Sequence, residues 1–382
     1  MKILHISDLH IGKSLGSFSL QDEQRHVFSQ IIDCVKTEKP SAILIAGDIY
    51  DRAVPSVEAV RIFDDFLTEL ADENIAVMII SGNHDSPERL NYASRLLADK
   101  NISICGAFDG TPHKVVLQDE YGEVCFWLMP FIKPLSVRSF FKDLQEPDSY
   151  EEAYAAALAT ANIDYSARNV LVTHQFFTGA GLNLEHSESE ISPVGGIDAI
   201  NYDLIKKFDY AALGHLHGSQ TVGTEHIRYA GSPLKYSFSE CRQKKSMLLA
   251  ELREKGNLEI QKRELRPLHD MREIKGKLKE LTSEETALLA DKNDYLRVIL
   301  TDEEEIIDPL GQVRSVYPNA MYLDFENSRS RVNIAEINAD AKKIETLSPY
   351  DLFKEFFLEM QGATMTAEQE KAVMELLEVL DA

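Results

Sequence analysis

Eight side chains, Asp8, His10, Asp48, Asn83, His84, His174, His215 and His217, stand at or just past the end of a short apolar run. Carboxylate, carboxamide and imidazole donors with no thiolate among them suit Mn2+ best, ahead of Fe2+, Zn2+ and Mg2+. One histidine at a strand end is ordinarily a cap or a core residue. Five independent strand ends that all finish in Asp, Asn or His would need that explanation five times over. Charge balance points to two divalent ions sharing Asp48, one on each carboxylate oxygen, at the roughly 3.5–4 Å separation of two-metal phosphoryl-transfer sites. Two such ions carry four positive charges, of which Asp8 and Asp48 remove two, because the other donors are neutral. The remainder matches one phosphodiester anion and one hydroxide, the reactants of a hydrolysis.

The elements that must position these residues alternate. Lys2 to Ser7 is a short apolar strand, and Asp8 and His10 beyond it are two apart, so in extended chain both side chains point the same way. Leu20 to Thr37 puts Val27, Ile31 and Val35 on one face at helical spacing. The run Ser41 to Ala46 then breaks into Gly47 and Asp48. Arg52 to Ala71 reads as a helix carrying Val57, Val60, Phe63, Phe66, Leu67 and Leu70, an apolar face for the core or for a dimer. A third buried strand, Ala76 to Ile80, gives way to Ser81-Gly-Asn-His-Asp-Ser-Pro87. Strand, polar turn and helix in repetition predict βαβ units in an α/β fold, with the turns along one edge of the sheet.

Shorter strands between Ile102 and Pro130 predict a second sheet packed on the first. A helix over Tyr150 to Ala161 leads to the strand Asn169 to Thr173 and His174. After a polar loop from Thr178 to Gly196, Tyr210 to Leu213 runs into Gly214-His-Leu-His217. Strands over Ile227 to Ala230, Met247 to Leu252 and Leu258 to Glu264 complete this half. From Pro267 the texture changes to a charged helix (Met271 to Leu281), a strand (Tyr295 to Leu300), a short helix (Pro309 to Val316) and a strand (Ala320 to Phe325). The expected division is therefore residues 1–266, a small α+β domain over 267–327, a linker over 328–348 and a helical segment over 349–382.

At 382 residues the chain is too long for one core, and 40 Lys plus Arg against 63 Asp plus Glu leave a formal charge of −23. Such a balance argues against nucleic acid as a partner on charge alone; a polyanionic substrate must be held by metal, by local basic loops or by another subunit. Cys34, Cys105, Cys125 and Cys241 form no C-x-x-C pair and read as reduced cysteines of a cytoplasmic protein. No signal-peptide core or membrane-length apolar run is present.

The series Asp8-Leu-His10, Gly47-Asp-Ile-Tyr-Asp51, Gly82-Asn-His-Asp85, Thr173-His-Gln175 and Gly214-His-Leu-His217 resembles the calcineurin-like metallophosphoesterase signature. Within that superfamily it is most similar to the bacterial nuclease subunits that work with a coiled-coil ATPase. Gly231-Ser-Pro-Leu-Lys-Tyr-Ser-Phe-Ser-Glu240, the small α+β unit and the Tyr350-Asp-Leu-Phe353 segment extend the likeness over nearly the whole chain. The resemblance implies a β-sandwich flanked by helices, with an α+β capping domain that binds DNA. It implies a two-metal nuclease, exonuclease on double-stranded ends and endonuclease on single strands or hairpins, acting in DNA repair, recombination and replication. It assigns Asp8, His10, Asp48 and His217 to one metal and Asp48, Asn83, His174 and His215 to the other. His84 becomes a catalytic residue that is no ligand; Asp51 stands where the archaeal and eukaryotic relatives have a second histidine, and instead resembles the phosphatase arrangement, in which an acidic residue orients that ring. A homodimer within a heterotetramer with the ATPase is the implied assembly.

Lys13, Arg52, Arg89 and Lys235 lie in or beside the motif loops, where they could meet phosphates or simply be solvated. Phe176 and Phe177 could stack on an unpaired end or pack in the core. Phe353, Phe356, Phe357 and Met360 form one terminal apolar stripe and Val373, Leu376, Leu377 and Leu380 another, which fold back on their own domain or, as the resemblance implies, dock on the ATPase. Two rival functions are a stand-alone phosphatase or small-molecule phosphodiesterase, which would not need the sequence after Arg266, and a metal-free protein-binding scaffold, which would not need a complete donor set.

Overall fold

The computed structural model describes residues 1–141, 149–190 and 198–328, and beyond them 350, 353–354, 357–358, 364–366, 369–370 and 373. All of the expected linker over 328–348 but its first residue, and most of the two terminal helices, therefore lie outside the described residues. The chain forms two compact units, Met1–Glu273 with Asp291–Arg297, and Ile274–Ala290 with Val298–Ala382.

The first unit is built on two six-stranded sheets. One runs Leu258–Glu264, Ser246–Leu252, Lys2–Ile6, Ala42–Ala46, Ala76–Ile80 and Ile102–Cys105. The last four of these strands pair in parallel, as βαβ units require. The other sheet runs Gln220–Val222, Thr224–Tyr229, Tyr210–Gly214, Arg168–His174, Gly122–Met129 and His113–Asp119. Strands 42–46, 168–174 and 210–214 are buried along their whole length, which is why they read as continuous apolar runs rather than alternating ones.

Facing residues of the two sheets make one core, with Ile3, Leu44, Met78 and Ile80 on one side and Phe126, Leu128, Val170, Val172 and Ala212 on the other. A second core lies on the far face of the second sheet, where Trp127, Leu171 and Leu213 meet Tyr154 and Ala157 of the Tyr150–Ala159 helix. The fold is thus the expected α/β sandwich. No helix among the described residues is long and apolar enough to cross a membrane.

Two expectations are corrected. The second helix begins at Val57, not Arg52, because Pro55 disfavours helical backbone before it and the Ser56 hydroxyl caps the Ala59 N–H. Its buried face is Ala59, Ile62, Phe63, Phe66 and Leu70, whereas Val57 and Val60 are 70% and 44% exposed. Met271–Gly276 is a strand, with a helix only over Leu278–Leu281. There, after the buried Met271, exposed Glu273 and Lys275 alternate with half-buried Arg272, Ile274 and Gly276, the period of a strand, although the long charged side chains favour helix. This strand belongs to a three-stranded sheet with Tyr295–Leu300 and Ala320–Phe325. Of the two readings of Phe177, the structure takes the core one: it is fully buried in the second core.

His5 crosses the sandwich. Its Nδ1 and the Tyr210 hydroxyl share a 2.8 Å hydrogen bond between the sheets, and burial lowers the imidazole from 6.5 to about 3. The folded state therefore holds His5 neutral. Its contribution is complete above the unfolded pKa and is lost as pH falls from 6.5 towards 3. Tyr210→Phe leaves the ring without this partner and should lower the unfolding free energy at pH 7 by about 1–3 kcal/mol, read by urea titration.

Candidate metal centre

Each motif loop follows a strand end, and the loops are stitched together by backbone hydrogen bonds that continue the parallel ladder beyond the strands. Asp8 N–H donates to Gly47 O at 3.0 Å, His10 N–H to Asp48 O at 2.9 Å and Ile11 N–H to Ile49 O at 2.9 Å. Asp8 and His10 are thereby fixed against Asp48. Gln24 Nε2 donates to His10 O at 2.8 Å, and the Tyr236 hydroxyl donates to Leu9 O, which seats the first loop from below. The second sheet enters where His174 Nδ1 meets Ala46 O at 2.8 Å.

This packing leaves no room for ordinary side chains. A Cβ on Gly82 would lie 2.1 Å from Asp48 Oδ1, and one on Gly47, where φ is +86°, would lie 2.3 Å from His174 Nδ1. Asp8, His10, Asp48 and His215 also take positive φ, at 54°, 42°, 50° and 113°. Such backbone costs about 1–3 kcal/mol per residue and persists where the surroundings over-determine it.

All eight expected residues come together. Asp48 Oδ2 lies 3.3 Å from His174 Nε2 and 3.6 Å from His10 Nε2, while Oδ1 accepts the His84 N–H at 2.8 Å. On one side of it, His10 Nε2 and His217 Nε2 are 3.1 Å apart. On the other, Asn83 Oδ1 is 3.0 Å from His174 Nε2 and 3.2 Å from His215 Nδ1. Asp8 accepts from the His215 N–H at 3.0 Å and from the Ser7 hydroxyl. Three groups, Asp8 with His10 and His217, Asp8 with Asp48 and His174, and His10 with Asp48 and His84, bring their donor atoms within 4.8 Å of one another.

Burial sets the charges. It raises Asp8 to about 6, with nearby Asp48 adding to the rise and His174 and His217 opposing it. Burial would raise Asp48 as well, but His174, His10 and His84 hold it below the usual carboxylate range. Against its own burial, His174 is raised to about 9 by Asp48 and Asp8. Burial lowers His215 to about 3 and His10 well below 6.5. Among the described residues, no Lys or Arg pairs with either carboxylate, so the charge is met by imidazoles and backbone N–H groups. Lone pairs from two carboxylates, a carboxamide and four imidazoles converging in a buried space are a donor set that divalent cations fit.

Asp51 is placed differently from the expectation. His84 Nδ1 donates to the Asp51 backbone carbonyl at 2.9 Å, while the Asp51 carboxylate pairs with Lys13 at 2.8 Å and lies 3.9 Å from His10 Nδ1. The carboxylate follows the cation, and the carbonyl orients the ring. Lys235 is likewise engaged, by Asp270 at 2.7 Å and Cys241 O at 2.8 Å. Phe176 packs against the rings of His186 and His215.

Sequence reasoning does not single out Asp85, whose carboxylate accepts the N–H groups of Ile49, Tyr50 and Gly82 at 3.0, 2.9 and 2.9 Å and so ties two motif loops together. Its place in Gly82-Asn-His-Asp85 is the available signal. Because the His84 contact runs through a carbonyl, Asp51→Asn should leave the His84 ring resonances in a histidine NMR spectrum unshifted, whereas Asp85→Ala should move them by freeing both loops.

The calcineurin-like phosphoesterase family matches residues 1–219, and the type 5 capsule protein repressor C-terminal domain matches residues 267–361. The SbcD subunit of the SbcCD nuclease of Staphylococcus epidermidis is 32% identical over 326 residues, covering 85% of this chain and 85% of that protein. The protein of the same name from Staphylococcus saprophyticus is 29% identical over 385 residues, covering 100% of this chain and 98% of the relative. A family match over more than half of the chain agrees with the loops, donors and sandwich above: the chain belongs to the calcineurin-like phosphoesterases, and within them to the SbcD nuclease subunits, hydrolases of phosphodiester bonds.

Proposed function

We propose that this chain is the nuclease subunit of a DNA end-processing complex, cutting phosphodiester bonds with two divalent cations, Mn2+ by preference, that share Asp48. The observation that carries the reading is the position of Asp48 Oδ2, 3.6 Å from His10 Nε2 and 3.3 Å from His174 Nε2, between two separate groups of donors. Asp8, His10, Asp48 and His217 would hold one ion, and Asp48, Asn83, His174 and His215 the other. Bound there, the cations supply a nucleophilic hydroxide at neutral pH and Lewis acidity toward the phosphoryl oxygens.

The chain's own groups do the rest. His84 is half-buried, its ring 4.7 Å from that of His10, and its Nδ1–H is committed to Asp51 O. In its protonated form it presents Nε2–H to the scissile phosphate and stabilises charge on the phosphoryl or leaving oxygen. With a formal charge of −23 the body of the protein repels a polyanion, so substrate is gathered at the site itself and by a partner.

Double-stranded ends would be degraded exonucleolytically, and single strands or hairpins opened endonucleolytically. The metallophosphoesterase domain is taken as residues 1–266, the DNA-binding cap as 267–327, and residues 349–382, after the 328–348 linker, as the segment that docks an SbcC-type coiled-coil ATPase. The assembly would be a cytoplasmic heterotetramer containing two copies of this chain.

Nuclease assays with Mn2+ on linear and hairpin DNA, with metal content measured in parallel, test the reading. His84→Ser should lose activity by about 10²-fold or more, on the order expected for removing a positioned proton donor, while keeping both ions. Asp48→Asn should lose both ions, whereas Asn83→Ala should weaken one. An Asp48→Asn protein that keeps both ions and cuts DNA would overturn the reading. Activity on bis(p-nitrophenyl) phosphate with none on DNA would favour a small-molecule phosphodiesterase.

The partner assignment has its own test. Deletion of residues 349–382 should abolish co-purification with the ATPase and leave hydrolysis of the small diester unchanged. Retained association would count against it.

A further inference from the structure

His217 is held from outside the site by a chain of buried and half-buried polar groups that belongs to none of the five motif loops. Its Nδ1 lies 2.7 Å from Ser189 Oγ and 3.4 Å from Glu240 Oε1. The Ser189 hydroxyl donates to Glu240 Oε1, and Ser237 Oγ donates to the same oxygen at 3.1 Å. Lys245 Nζ donates to Glu240 Oε2 at 2.6 Å. It also reaches Gln243 Oε1 at 2.8 Å, and both Ser232 Oγ and His217 O at 2.9 Å. The main chain is clamped from the other side as well, since His217 N–H donates to Glu190 Oε1 at 2.7 Å. The side chains of Glu240 and Lys245 are 0% and 5% exposed, so neither is there for solubility.

The polarity of this chain follows from which groups can donate. A carboxylate only accepts and an ammonium only donates, so Lys245 fixes Glu240 as the acceptor at one end. The Ser189 proton must then point at Glu240, which turns a lone pair of Oγ toward His217. The ring answers with Nδ1–H, and in the neutral imidazole that leaves the lone pair on Nε2, the atom facing His10 Nε2 across 3.1 Å. A hydroxyl alone would not decide this, because it can either donate or accept.

We infer that Ser189, Glu240 and Lys245 are positioning residues for His217, a relay that fixes its tautomer and ring orientation so that Nε2 is presented to a divalent cation. The inference rests on the reading of His217 as a metal ligand for its consequence, but the tautomer itself is a property of the chain alone. Partners of this kind commonly change metal affinity about 10–100-fold when removed. Ser189 lies far from the motifs in sequence, in the segment after Thr178, so the relay also ties the seating of that segment to the state of one ligand.

The test uses the whole chain and four variants. In wild type without added metal, ¹⁵N spectra of the His217 ring should show the proton on Nδ1. Ser189→Ala should shift the ring toward a tautomer mixture, and Ser189→Thr, which keeps the hydroxyl, should restore it. In Mn2+ titrations followed by calorimetry, Ser189→Ala should weaken one of the two sites about 10–100-fold and leave the other within a factor of two. Excess Mn2+ should recover turnover. Glu240→Gln should behave in the same way if it folds, and Ser189→Ala decides the matter if it does not. An unchanged tautomer in Ser189→Ala overturns the relay, whatever the metals do. A changed tautomer with unaltered Mn2+ binding, together with unaltered binding in His217→Ala, locates the failure in the metal assignment and removes the proposed consequence.

Discussion

Two carboxylates that are both wholly buried, Asp8 and Asp48, set the conditions under which the rest of the site is built. Burying an unpaired carboxylate costs several kcal/mol, and such a group escapes by taking a proton or by finding positive charge. Here the two respond differently. Asp8 rises to about 6, while Asp48 is held ionised by histidines, one of which, His174, is itself raised to about 9. The pair Asp48 and His174 thus stores its compensation as a proton. A cation entering between the same atoms displaces that proton, so cation affinity must rise with pH in this region. The absence of Lys or Arg beside the carboxylates, among the described residues, is what leaves this exchange possible, because a fixed guanidinium would occupy the charge permanently.

Holding such donors together requires backbone that L-residues avoid. Ten described non-glycine residues have positive φ, and four of them, Asp8, His10, Asp48 and His215, are in the site, far more than chance placement would give. Their strain is sustained by neighbours that contribute no donor: Asp85 through three N–H groups, Gln24 and Tyr236 through the carbonyls of Leu9 and His10, and Ala46 O through His174. These contacts run between strand ends that are already in register. The sheet ladder therefore does the long-range positioning, and the supporting side chains only correct the last few ångströms. A one-residue slip of the Lys2–Ile6 strand would turn His5 toward the opposite face and carry Asp8 out of reach of the Gly47 carbonyl.

Much of this is legible in the sequence because the chemistry sits where periodicity breaks. Each apolar run ends in a polar donor, and in a parallel sheet all such ends share an edge. What periodicity does not show is contact between segments far apart in the chain. The Asp51 carboxylate goes to Lys13 while its carbonyl goes to His84, a choice made by the geometry of a turn and invisible in composition. Phe176 and Phe177 are adjacent and alike, yet one packs beside His186 and the other is core, which only the strand's facing decides. Met271–Gly276 resembles a helix because its residues are long and charged, but its burial alternates with period two. Ser189 and Glu240 carry no local signal at all, since each matters through a histidine twenty or more residues away.

The residues that sequence offers as phosphate contacts sharpen the electrostatic argument. Lys13 is neutralised by Asp51 and Lys235 by Asp270, while Arg52 lies largely in solvent, 84% exposed. Arg52 and Arg89 are thus the exposed cations that an anion approaching this strongly acidic chain meets beside the motif loops. Further favourable field would come from oriented backbone N–H groups and from cations held at the centre. On the proposed function, loading the centre would add to that field, so substrate capture and competence for hydrolysis would depend in part on the same charge.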